Sequence, residues 1–306
     1  MKKMTFILAC LTMAALSANA QISKVILQHQ GDVTMYEPAD IQTAIKAAVD
    51  GDTILLNKGS YPGFTVNKKI SVIGAGEKTT ITTEITIDIP NTPTLTAHLL
   101  ESLKATSIKI NKEVYGLKIK KCYFTNALTF KAYVTNALID RCKLDSYIDL
   151  GTSYVASLKI KNSEISYIRG KAYSDDAIDC THCYFTGWNN DYMTNVVAQF
   201  TDSWFKSGSC QAAYSSKCTY LKCILGTSYT PRGTTQDCWR ADVDFTEDIP
   251  TLTRAGYIGT DGTVVGPLGG TTPYTLETTA PKVTDSSIGV TPDMKALNVN
   301  ITVTPN

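Results

Sequence analysis

Cys180-Thr181-His182-Cys183-Tyr184-Phe185 is followed twenty residues on by Phe200-Thr201-Asp202-Ser203-Trp204-Phe205, and then by Tyr220-Leu221-Lys222-Cys223-Ile224-Leu225. The same pattern precedes it as Ile119-x-x-Cys122-x-Phe124, Ile139-x-x-Cys142-x-Leu144 and Ile160-x-x-Ser163-x-Ile165. The small residue falls at 122, 142, 163, 183, 203 and 223, so the spacings are 20, 21, 20, 20 and 20. Leu99-x-x-Ser102 reads as a fainter copy one turn earlier. A looser tyrosine series at 115, 133, 154, 173, 192 and 214 keeps nearly the same period.

A unit of about 20 residues with short β-type runs and no helix cannot bury its apolar face alone. Coiling the chain stacks each strand on its own previous turn, about 4.8 Å away. Equivalent positions then become columns. The pattern predicts an all-β fold, a single-stranded right-handed parallel β-helix. Ile, Cys or Ser, and Phe or Leu face the core, and the tyrosine series lies inward or at a corner. Leucine-rich repeats have a similar period, but their signature is missing.

The ends differ from the repeat. Ile41, Ala44, Ile45 and Ala48 follow helical spacing after Pro38, and Asp50-Gly51 supplies a stop, which predicts an N-terminal capping helix. Thr53 to Leu56, Phe64 to Val66 and Ile70 to Ile73 read as strands between Gly- and Pro-bearing turns. After Cys238 the period is lost. Gly256 to Tyr274 reads as a C-terminal β cap, and Thr284 to Val303 as two strands around a Pro292-Asp293 turn. The expected division is a signal over 1–20, the β-helix with its N-terminal cap over 21–240, and a C-terminal cap and hairpin segment over 241–306.

Ile41-Gln42-x-Ala44-Ile45, Asp50-Gly51-Asp52-Thr53-Ile54, Gly59-x-Tyr61 and Ile70-Ser71-Val72-Ile73-Gly74-Ala75-Gly76 together resemble the opening segment of pectin methylesterases and other pectin-lyase-like β-helix proteins. The tail is similar to the C-termini of secreted β-helix proteins of unknown function. The match covers about 40 residues and carries none of that family's catalysis.

The first residues read as an export signal: Lys2 and Lys3, an apolar run from Phe6 to Leu16, and Ser17-Ala18-Asn19-Ala20 before a cut at Gln21. A rival lipoprotein reading uses Ile7-Leu8-Ala9-Cys10. No later run is long enough to span a bilayer as a helix. Without Lys2 and Lys3, the remaining 27 basic and 28 acidic residues nearly balance, which gives no electrostatic reason to expect nucleic acid as a partner. Localisation is expected to be secreted or periplasmic.

Eight cysteines follow the signal. Cys122, Cys142, Cys183 and Cys223 are expected as small core residues. Cys210, Cys218 and Cys238 lie off the ladder and are the better disulfide candidates. Cys180-x-x-Cys183 lacks the second half of a zinc site.

The resemblance makes uronate-acting enzymes the comparison. Pectate lyases hold Ca2+ with clustered carboxylates beside an Arg or Lys base. The matching candidates are Asp175, Asp176 and Asp179 with Arg169 and Lys171, and Asp149, Asp175 and Asp176 as Ca2+ ligands. Asp149 falls beside Arg169 or Gly170 in register, and a cross-rung ion pair with Arg169 is the simpler reading. Neither the esterase nor the polygalacturonase motifs are present. His182 reads as an outward surface histidine. Tyr184, Trp204 and Trp188 form an outward aromatic group, a usual way to hold sugar rings, or a ladder that only stabilises the sheet. The expectation is a carbohydrate- or cell-surface-binding protein without catalysis and without cofactor, its partner a polysaccharide or surface glycan. A diverged pectate-type lyase using Ca2+ and a purely structural or adhesive solenoid stay open.

Overall fold

The computed structural model describes residues 23–89, 99–152, 155–170, 178–186, 197–206, 218–231, 233–243, 249–275, 282–290 and 297–304. The chain winds into a parallel β-solenoid of about 7 turns. Ile119, Ile139, Ile160, Cys180, Phe200 and Tyr220 stand in register on successive rungs. So do Phe124, Leu144, Ile165, Phe185, Phe205 and Leu225. All twelve are buried in one continuous core.

The small residue of the pattern has a chemical reason. The residue before it makes a sharp corner: Lys121, Arg141, Asn162, His182, Asp202, Lys222 and Asp237 all have φ between 45° and 54°. This left-handed conformation disfavours most side chains, and Asn, Asp and His enter it most readily among non-glycine residues. The corner turns carbonyls into the core that need donors. Cys142 Sγ–H reaches Ile119 O (3.4 Å), and Cys183 and Cys223 reach Ile160 O and Phe200 O (3.4 Å each). Ser203 Oγ–H reaches Thr201 O (2.9 Å) and accepts Cys183 N–H (3.1 Å). From Cys122 onward a small side chain with one donor fills the site, so Cys and Ser interchange.

Two registers correct the sequence reading. Leu99↔Lys118 and Lys104↔Tyr123 pair, so Ser102 shares the corner with Lys121, and Leu103 is the ladder residue; Ser102 itself has φ 56°. Ile224↔Trp239 pair, so Cys238 continues the ladder on a last coil shortened to fifteen residues. Cys218 is also inward, paired with Ala198 and buried. All seven described cysteines are free, Cys218 and Cys238 included; Cys210 lies outside the described residues. Tyr115 and Tyr133 are exposed while Val114 and Val134 beside them are buried, so these two tyrosines are not inward. The other members of that series lie outside the described residues.

The N-terminal helix forms as Ile41–Ala47, burying Ile41, Ala44 and Ile45. Gln42 fixes it to the first coil by accepting Thr65 N–H (2.8 Å) and donating to Thr65 O (3.1 Å). A hairpin, Val25–His29 with Asp32–Tyr36, pairs antiparallel with Thr53–Leu56 and covers that edge. The sequence reading did not include it. The C-terminal strands Lys282–Val290 and Leu297–Thr304 pair antiparallel as expected. No helix among the described residues is long and apolar enough to cross a membrane.

Candidate functional site

Residues 257–270 are laid as a strap along the flank of the solenoid, across the corner column. Three corner residues hold it. Thr260 donates its N–H (2.8 Å) and its hydroxyl (2.6 Å) to the Asp202 carboxylate, and Gly266 N–H donates to Asp202 O (2.8 Å). His182 Nε2 lies 3.1 Å from Asp261 Oδ2 and 3.8 Å from Asp202 Oδ2. Asn162 Nδ2 donates to Gly269 O (2.8 Å) and Pro267 O (3.2 Å). The corner column thus changes from Lys and Arg to Asn, His and Asp where the strap needs partners.

The strap buries what the sequence placed outside. Tyr184 is 6% and Trp204 1% exposed. They form a second apolar cluster with Ile224 and Val265, against which Trp239 and Tyr257 pack. Their rings touch each other at 4.9 Å between centroids. The outward direction of these side chains is right, but the exposed platform is not there, because Val265 covers it. Trp188 lies outside the described residues. His182 is likewise no surface histidine: it is 4% exposed. Its Nδ1 has no hydrogen-bond partner among the described residues. Asp261 is partly exposed, and although burial opposes it, the Thr263 N–H and hydroxyl and the neighbouring His182 ring hold its carboxyl below its ordinary range.

Of the lyase candidates, Arg169, Asp149 and Asp179 lie among the described residues. Arg169 pairs with Asp149 across the rung at 3.1 Å and lies over the Tyr147 ring at 3.8 Å. This is the cross-rung ion pair expected from register. Asp179 stands in a different strand, Ile178–Thr181, in register with Lys159 and accepting the Thr181 hydroxyl (3.1 Å). Lys171, Asp175 and Asp176 lie outside the described residues.

A groove of about 380 Å3 is lined by Asn136, Leu138, Asp140, Ser157, Lys159 and Lys161, together with Thr272. Lys118, Leu138 and Lys159 follow one another on successive rungs, as do Lys120, Asp140 and Lys161. Asp140 is taken by Arg141, which donates to it at 2.8 and 3.1 Å. Lys159 and Lys161 are exposed, and among the described residues no carboxylate stands at ion-pair distance from either. Sequence reasoning passed over these lysines because alternating Lys-Ile-Lys is also how an ordinary solvated strand looks.

At the last rung, the neighbouring buried Cys223 thiol lowers the pKa of the half-buried Cys238 to about 6.

Comparison with protein-family models, curated proteins and solved structures finds no match.

Proposed function

We propose that this protein is exported and holds an acidic polysaccharide on its lysine-bearing outer face, without cleaving it. The observation that carries the reading is the groove in which Lys159 and Lys161 stand exposed beside an Asp140 already neutralised by Arg141. Ammonium groups without a protein partner attract carboxylates or sulfates, and neighbouring hydroxyl and amide side chains such as Ser157 and Asn136 suit sugar hydroxyls. Lys118 and Lys120, two rungs away, continue the positive face. The kinship assumed is with pectin-lyase-like β-helix proteins, on the resemblance of the opening segment, and a uronate polymer is the matching ligand class. The aromatic pair is not part of this reading, because the strap covers it.

A glycan array followed by calorimetry with oligogalacturonate and a neutral glucan tests the proposal. The acidic oligomer should bind and the glucan should not. Lys159→Glu with Lys161→Glu should weaken binding at least tenfold, about 1.4 kcal/mol. Undiminished binding by that variant would remove the groove from the reading. Unsaturated products appearing in the ultraviolet with Ca2+ present would overturn the non-catalytic half.

A further inference from the structure

We propose that His182, Asp202 and Asp261 form a binding site for a divalent transition cation, Zn2+ being the probe, and that the ion staples the strap to the solenoid. The donors come from three separate places in the chain, and their ligand atoms lie within 4.8 Å of one another. His182 Nε2 faces the two Oδ2 atoms at 3.1 and 3.8 Å. In a tetrahedral site with bonds of about 2.0–2.2 Å, neighbouring donors stand roughly 3.3–3.6 Å apart. The two separations from Nε2 bracket that range, and the two carboxylate oxygens lie within 4.8 Å of each other.

The surroundings aim these atoms. Thr260 N–H holds Asp202 Oδ1 (2.8 Å) while its hydroxyl takes one lone pair of Oδ2 (2.6 Å) and leaves the other, and Thr263 holds Asp261 Oδ1 with its N–H (2.9 Å) and hydroxyl (2.7 Å). Each carboxylate therefore turns its second oxygen toward the imidazole. Two carboxylates face one imidazole, and Asp202 is 1% exposed. Amide and hydroxyl donors ease a buried anion without balancing its charge, which a divalent ion does.

The far side of the ring provides an independent sign. A metal-bound imidazole carries its remaining proton on the other nitrogen and usually donates it to a carbonyl. Buried His182 Nδ1 has no partner among the described residues, and the Val264 carbonyl lies close by. Both flank the space that a Cβ on Gly269 would fill, at 2.7 and 1.8 Å. A side chain at 269 would collide with that carbonyl, so glycine keeps the space between it and the ring open.

The donor set selects the ion. One imidazole with two carboxylates is a borderline set suited to Zn2+, with water as a fourth ligand through the partly exposed Asp261 side. Ca2+ asks for six to eight oxygens. The rival account is a lock of hydrogen bonds alone, which would respond to mutation but not to added metal.

The test uses the whole chain after chelator treatment. Calorimetry with ZnCl2 should show one ion per chain, far tighter than MgCl2 or CaCl2, with a raised melting temperature. Asp261→Asn, on the exposed side, should weaken Zn2+ uptake at least tenfold and abolish the thermal shift. His182→Asn keeps a residue suited to the left-handed corner and should do the same, so either variant that folds by circular dichroism decides the matter. No stoichiometric uptake by the parent, Mg2+ binding as tight as Zn2+, or uptake undiminished in a folded variant would overturn the site.

Discussion

Each ladder thiol or hydroxyl does two jobs: it fills a small volume in the core and donates to a carbonyl that the corner leaves over. Cys142 is fully buried and donates to Ile119 O at 3.4 Å and Asp140 O at 3.5 Å. Ser163 and Ser203 fill the same place with a hydroxyl. Cys142→Ser should therefore cost little, about 1–2 kcal/mol for the lost apolar contact, because the donor is kept. Cys142→Asp removes the donor and places a charge between apolar rungs, so it should cost several kcal/mol and unfold the protein at ambient temperature. Thermal melts followed by circular dichroism separate the two. An Asp variant that melts like the parent would mean the position is not inward. The same logic explains the oxidation state: thiols that satisfy carbonyls on successive rungs have work as thiols, and the described ones are all free.

The strap is the element whose removal should change the surface most. Val265 is 1% exposed over Tyr184, Trp204 and Ile224. Val265→Asp would bury a charge in that cluster, so the strap should lift while the solenoid beneath keeps its strands. Tryptophan emission should shift to the red as Trp204 meets water, apolar dye binding should rise, and the far-ultraviolet spectrum should hold. Unchanged emission would show that Val265 does not cover the pair. The strap also marks where the sequence stopped being legible. The register of the coils, the capping helix, the Asp149–Arg169 pair and the C-terminal hairpin could be read because their partners are local or repeat every twenty residues. Asn162 meets Gly269 across 107 positions, and periodicity says nothing about where a non-repeating segment docks. Two signals pointed to it. The outward column runs Tyr123, Lys143, Glu164 and then turns apolar at Tyr184, Trp204, Ile224 and Trp239. The corner column turns from Lys and Arg to Asn, His and Asp at 162, 182 and 202, overlapping the apolar run at the coils of Tyr184 and Trp204. An apolar exterior beside unpaired polar corners asks for a cover, and the first signal read alone suggested a sugar platform.

At the scale of the whole molecule, a periodic surface favours a periodic ligand. Rungs repeat about every 4.8 Å, so Lys118 and Lys120 stand roughly 10 Å from Lys159 and Lys161 along the axis. One sugar cannot reach both pairs, whereas a chain with an acid on successive sugars can. Once one lysine pair is engaged, the second contact is intramolecular and its effective concentration is high. Affinity should therefore climb steeply with oligogalacturonate length until the chain spans both pairs, then flatten. Lys118→Glu with Lys120→Glu should leave the shortest oligomers unaffected and bring long ones down to their level. Because all four lysines are at least partly open to solvent, raising NaCl from 50 to 500 mM should weaken the long chain at least tenfold, as the screening length falls below the rung spacing. Equal affinity for a single uronate and for a long chain, insensitive to salt, would place the ligand somewhere other than this face.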